Sequence, residues 1–252
     1  MLVLIFPLIG SVGFLLTNLW LVLFVTNVPL FPTIIDPLQG SPSLLSALLI
    51  NLLVMLVFGV QHSVMARVWF KDGCKKLFDE RLFRAVYMIA SGLALAFVLA
   101  LWQPIPGHIF AAQSLWLVVP IWAVFALGIL IASWAILAID PLELMGFKQA
   151  WSRVKGQAWL DIEFKQPWLY RVVRHPMQLG IILILWATPL MTLNHLLFAS
   201  SMTAYILIGL RFEERALAQA FGDTYTEYQR AVPFLLPFKA HGRSSTRPKK
   251  FG

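Results

Sequence analysis

Arg174-His175-Pro176-Met177-Gln178-Leu179-Gly180 opens an apolar stretch that runs to Leu210, and Arg211-Phe212-Glu213-Glu214 closes it. Thr188-Pro189 and Thr192-Leu193-Asn194-His195 interrupt the stretch at its middle, where proline and short polar side chains mark a turn. The pattern predicts a membrane-buried helical hairpin with arms near 179–192 and 195–210. At 1.5 Å per residue such arms rise only about 21 to 24 Å, short of a hydrocarbon core of about 30 Å. The tip is therefore expected near the far interface, with Asn194 and His195 reaching for water. Polar groups at the two feet of a hairpin face one another, so the same stretch describes a site. The segment Phe221-Gly222-Asp223, with Tyr225 and Tyr228 after it, adds polar aromatic surface beside the two glutamates.

Outward from the hairpin, uncharged runs at about 4–26, 43–61, 85–103 and 114–138 each reach or approach the roughly 20 residues that cross a bilayer as helix. Apolar residues make up 59% of the 252 positions, above the roughly 45 to 50% of soluble domains. Mean hydropathy is +0.77. The expected fold class is an all-α integral membrane protein: four transmembrane helices plus a C-terminal transmembrane helical hairpin, with cytoplasmic loops and a cytoplasmic C-terminal segment. All 20 Lys and Arg fall in three segments, Gln61 to Arg84, Lys148 to Arg174, and Arg211 onward. By the positive-inside rule these share the cytoplasmic side, which places both termini there.

The formal net charge of +8 is thus a topology signal, and anionic lipid headgroups rather than nucleic acid are its expected counter-ions. Residues 1–238 read as one polytopic domain and 239–252 as a basic tail too polar to pack, expected to be disordered. Residues 4–26 lack a positive leader and a small-residue cleavage site, and read as a retained first span. A single cysteine, Cys74, excludes an internal disulfide framework and a multi-cysteine metal site; no metal ligands are assigned. The chain has no G-x-G-x-x-G, P-loop, C-x-x-C, H-E-x-x-H or G-x-S-x-G, which removes the common nucleotide sites and hydrolases.

Four polar clusters at span ends remain. Gln61-His62-Ser63 with Arg67 closes the second run; a neutral histidine beside a hydroxyl suits proton transfer, and equally suits a helix C-terminus. Glu80, Arg84 and Tyr87 enter the third run, either as an i,i+4 ion pair with a belt aromatic or with the arginine free to meet a carboxylate. Glu143 to Trp151 follows Asp140-Pro141 as a turn or an interfacial anchor. In the fourth cluster Pro176 fits the first helical position, which leaves His175 extended and the positive helix end facing any anion. Gly180 one turn further in permits close approach of a bulky group. Carboxylates at a membrane boundary, as at Glu213 and Glu214, need partners or a cation.

Together, Gln61-His62-Ser63-x-Met65-Ala66-Arg67, Glu143-Leu144-x-Gly146-x-x-Gln149-x-Trp151, Arg174-His175-Pro176-x-x-x-Gly180 and Glu213-Glu214-x-x-Leu217 resemble the bacterial methanethiol S-methyltransferases. These belong with the nurim-like branch of the isoprenylcysteine carboxyl methyltransferase superfamily. The resemblance covers most of the chain. It departs from the superfamily at Gln178, where tyrosine is frequent, and at Phe83, where an acid precedes the arginine. It implies a bacterial inner-membrane enzyme that binds S-adenosylmethionine on the cytoplasmic side and releases S-adenosylhomocysteine. The cofactor-binding candidates are Arg174, His175, Pro176, Met177, Gln178, Gly180, Glu213, Glu214 and Tyr225.

The implied acceptor is a small thiol, methanethiol giving dimethyl sulfide, and no obligatory protein partner is expected. A neutral thiol is mostly protonated near pH 7, so such a site must remove the proton or favour the anion. His62 is the candidate base, with Arg67 and Arg84 the electrostatic candidates. The alternatives are a methyltransferase acting on a prenylcysteine carboxylate or a lipid, and a non-enzymatic nurim-like or haem-binding protein with His62 and His175 as axial ligands.

Overall fold

The computed structural model describes residues 2–37, 43–157 and 164–238; the tail 239–252 lies outside them. The chain is an integral membrane protein; among the described residues five helices are long and apolar enough to cross a bilayer. They are α1 (Ile5–Val25), α2 (Leu44–Met65), α4 (Phe83–Leu101), α5 (Leu115–Ile139) and α9 (Leu193–Phe221), with short α3 (Val68–Cys74) between the second and third. Short α6 (Pro141–Leu144) and α7 (Phe147–Val154) follow α5. The first hairpin arm is α8 (Pro176–Trp186), and α10 (Asp223–Ala231) comes after α9. Besides helices there is one two-stranded antiparallel ribbon, β1 (His108–Ala111) with β2 (Leu190–Thr192), which pattern reading did not anticipate.

Two apolar helices stand where the hairpin arms are expected, and they are unequal, the first too short to count among the spans. At 11 residues α8 rises about 16 Å. It starts as its sequence demands, with His175 extended at φ −127° and Pro176 at the first helical position. It stops before Thr188-Pro189, because a residue preceding proline is driven out of the helical region. The second arm is recapped by Thr192, whose hydroxyl accepts from the His195 amide at 2.9 Å. From there α9 runs 29 residues without a break, carrying Glu213 and Glu214 inside a continuous helix.

Asn194 and His195 do not reach for water; they are 0% and 1% exposed. Asn194 accepts from the Trp102 indole at 2.9 Å and donates to the Ile35 carbonyl, while His195 Nε2 donates to the Leu185 carbonyl at 2.8 Å. The ribbon and the 26–37 loop fold over the tip, and with water excluded most of its polar groups take protein partners, His195 Nδ1 being buried without one. The main core lies at this end, with Phe24, Leu99, Trp102, Leu185 and Phe198 packed together.

Close helix contacts set the frame. A Cβ on Gly180 would stand 2.6 Å from Ala132 N and Gly128 O, and one on Gly128 would stand 2.8 Å from Gly180 O. Small residues therefore let the backbones of α8 and α5 meet, as in small-residue packing between membrane helices. Asn51 of α2 is buried and clamps the chain just past α4, accepting from Gln103 N at 2.7 Å and donating to Gln103 O at 2.9 Å.

At the opposite end, contacts join the three basic segments. Arg153 pairs with Asp79 at 3.0 Å, Arg84 Nε donates to Leu144 O at 2.9 Å, and the Arg67 guanidinium lies 4.4 Å from the Phe212 ring centroid. Charge gathers at one end of the bundle.

Candidate functional site

The site is built where α9 leaves the apolar layer. Arg174 grips Glu214 with both prongs, Nε to Oε1 at 2.8 Å and Nη2 to Oε2 at 2.9 Å, the two-pronged geometry that favours arginine over lysine. Its remaining Nη1 donates to the carbonyls of Gln229 at 2.8 Å and Val232 at 2.7 Å. Glu214 also takes His175 Nε2 at 2.8 Å, the Tyr225 hydroxyl at 2.9 Å and the Gln229 amide at 2.7 Å. Glu214 and Arg174 thus tie the foot of α8, α9, α10 and the segment after α10 into one unit. Phe234 completes it, its ring 5.1 Å from that of His175.

Behind this knot, Phe164, Phe221, Tyr225 and Tyr228 form a small aromatic cluster, with Tyr228 donating to the Tyr170 carbonyl at 2.6 Å. Burial, then the bond to Glu214, push the Tyr225 phenol well above its ordinary range. Burial pushes Tyr228 up to about 12.

Glu213, the next residue, has no hydrogen bond or ion pair among the described residues. Its side chain is exposed, and His175, Glu214 and Arg84 lie close enough to act on it electrostatically. Arg84 lies near it: only its Nε is bonded, and Tyr87, Glu143 and Glu213 act on it electrostatically. The expected Glu80–Arg84 pair does not form, because Lys75 takes Glu80 at 3.1 Å.

Deeper in, His62 Nε2 meets the Tyr87 hydroxyl at 2.7 Å and Nδ1 meets Ser91 Oγ at 2.9 Å. Phe58 and Tyr205 flank the imidazole, at ring separations of 5.6 and 6.1 Å. Arg84, Tyr87 and Ser91 fall at i, i+3 and i+7 of α4, one face of one helix. Tyr87 and Ser91 were missed as functional candidates; that spacing, read together with Arg84, was the available signal.

The sequence candidates therefore separate. Arg174, His175, Glu214 and Tyr225 converge, yet they satisfy one another, and Tyr225 at 1% exposure has no face left for a ligand. Pro176 is buried at the helix start. The close approach that Gly180 permits is used by α5, which corrects its expected role beside a ligand. Arg67 is spent on Phe212 rather than on the His62 pocket. Met177, Gln178 and Glu213 keep accessible surface, as do Arg84 and His62 in part. The haem alternative loses its ligand pair, since both nitrogens of His62 and Nε2 of His175 are engaged by protein groups.

Known proteins are similar to this sequence along most of the chain. The phospholipid methyltransferase family matches residues 122–224, the part that holds α5, the hairpin and the glutamates. Methanethiol S-methyltransferase 2 of Bradyrhizobium diazoefficiens is 40% identical over 98% of this chain and 96% of its own length. Methanethiol S-methyltransferase of Mycobacterium tuberculosis is 38% identical over 82% and 84%. Nurim of Xenopus laevis is 30% identical over 74% and 66%. No solved structure matches.

Proposed function

This chain belongs to the methanethiol S-methyltransferase family, and from that premise we propose that it transfers a methyl group from S-adenosylmethionine to methanethiol, giving dimethyl sulfide. The observation that carries the reading is the contrast between adjacent glutamates: Glu214 is saturated, while Glu213 is exposed and unpaired, within electrostatic reach of an arginine with a free edge. A site that offers one carboxylate and one guanidinium fits an amino-acid zwitterion such as the methionine end of the donor, ammonium toward Glu213 and carboxylate toward Arg84. Met177 and Gln178 at the foot of α8 complete the donor wall. Arg174, His175 and Glu214 act by holding that wall together.

When bound, the donor supplies an electrophilic methyl carbon and departs as a neutral thioether. The protein's contribution is alignment and exclusion of water, which suit a reaction between a sulfonium and a small sulfur nucleophile. Phe58, Tyr87 and Tyr205 bound the acceptor end of the site. The charged end faces the cytoplasm of a bacterial inner membrane, with both termini on that side and anionic lipid around the basic tail.

The test is headspace detection of dimethyl sulfide from purified protein supplied with S-adenosylmethionine and methanethiol, beside parallel reactions with a prenylcysteine and a lipid amine. Thioether as the dominant product is expected. Methylation of either large acceptor in its place overturns the thiol assignment.

A further inference from the structure

We infer that Tyr87, not His62, is the group that takes the proton from the thiol, with His62 as the final proton acceptor and Ser91 as its support. This rests on the thiol-methylating function proposed above. A neutral imidazole has one N–H and one lone pair. Both ring nitrogens of His62 are already occupied, Nε2 by the Tyr87 hydroxyl at 2.7 Å and Nδ1 by Ser91 Oγ at 2.9 Å. A thiol that approached the imidazole directly would have to displace one of these short bonds.

The phenol, by contrast, donates its O–H to His62 and keeps its lone pairs; with the Ser91 hydroxyl bonded to one, another remains to accept from a thiol, and Tyr87 is only half-buried. It also stands nearer the proposed donor groups: Arg84, one turn before it on α4, and Glu213 of α9 both act on it electrostatically, as does Tyr205. Phe83 stacks on the ring, which fixes its orientation, with centroids 6.4 Å apart and planes 15° from parallel.

The step balances without any further reagent. The thiol S–H bond breaks and its proton bonds to the Tyr87 oxygen, while the Tyr87 proton passes to His62 Nε2. Sulfur keeps the electron pair and becomes thiolate. His62 becomes imidazolium, its Nδ1–H donating to Ser91 Oγ. After methyl transfer the imidazolium gives its extra proton to water through the same hydroxyl.

The experiment combines turnover with a binding spectrum. Wild type, Tyr87→Phe, His62→Gln and the double variant are assayed with ethanethiol and with the more acidic trifluoroethanethiol. Each is also titrated with thiol in the presence of sinefungin, an unreactive cationic donor analogue. Tyr87→Phe should lower kcat with ethanethiol by about 10²-fold or more, the usual worth of proton transfer by a positioned group. The double variant should be no worse than the weaker single, because the two side chains act as a unit. The loss should shrink at least tenfold with the acidic thiol, and the ultraviolet absorbance of bound thiolate should appear in wild type and disappear in Tyr87→Phe.

Sinefungin affinity reports whether each variant is folded. Should Tyr87→Phe lose it, His62→Gln carries the same two readouts. A wild type that methylates no thiol overturns the functional reading and the relay together. A thiol-active wild type beside a Tyr87→Phe variant with unchanged kcat, or with unchanged thiolate absorbance, overturns the relay alone.

Discussion

The two ends of α9 carry polar residues of similar kind and use them in opposite ways. At its start, Asn194 and His195 are buried and bonded to Trp102, Ile35 and Leu185, so this end is closed and serves the fold. At its other end one carboxylate is saturated and its neighbour is open, so structure and chemistry divide between consecutive residues. The lesson is that an ionisable group in a membrane protein reveals its role by what is left unbonded. A saturated charge holds a shape, and an unsaturated one with exposed surface is open to a ligand.

The sharpest way to break that contrast is Glu214→Ala. It strands Arg174 and removes four donors' common acceptor, and loss of one partner of a largely buried pair costs about 3–5 kcal/mol. Chemical unfolding in detergent should show a loss of this size, with α10 and the segment after it exchanging amide hydrogens faster. A stability loss below 1 kcal/mol, measured the same way, would remove Glu214 as the knot.

Glu213→Gln should do the converse. Unfolding should be nearly unchanged, while calorimetric affinity for S-adenosylhomocysteine falls roughly ten- to a hundred-fold, the worth of one charged hydrogen bond of about 1.5–3 kcal/mol. Retention of wild-type affinity would mean that the open carboxylate does not face the donor.

Asn194→Ala sharpens the closed end. It leaves the Trp102 indole N–H without its acceptor, at about 1–3 kcal/mol, and should leave S-adenosylhomocysteine affinity untouched. A changed affinity would show that the two ends of α9 are coupled.

The smallest effect belongs to Asp79, outside the spans. The Arg81 guanidinium above all, and Arg153 with it, hold its carboxyl down at about 2. A depressed carboxylate pKa contributes stability above the unfolded value near 3.8 and loses it as pH falls through about 2. The wild-type unfolding midpoint should therefore fall between pH 4 and pH 2 by more than that of Asp79→Asn; parallel curves would show that the tie to α7 carries no stability.

Much of this was legible in the chain. Runs of apolar residues of bilayer length, the partition of every Lys and Arg, and the His175-Pro176 start of α8 are local facts, and lipid leaves a helix as the simplest way to satisfy the backbone. The motif Glu213-Glu214 also marked the site, because a carboxylate at a membrane edge is too costly to be idle.

Which glutamate is free was not legible, since Arg174, Tyr225 and Gln229 reach Glu214 from 40, 11 and 15 residues away. Nor was the burial of Asn194 and His195, which depends on the 26–37 loop and the ribbon folding over a tip that looks wet in isolation. Gly180 shows the limit most plainly: the sequence determines that something approaches its backbone closely, and only the tertiary structure decides that it is Gly128 and Ala132 of α5. Periodicity and composition act through neighbours in the chain, while the partner of a polar or small side chain is set by helices that meet across the bundle.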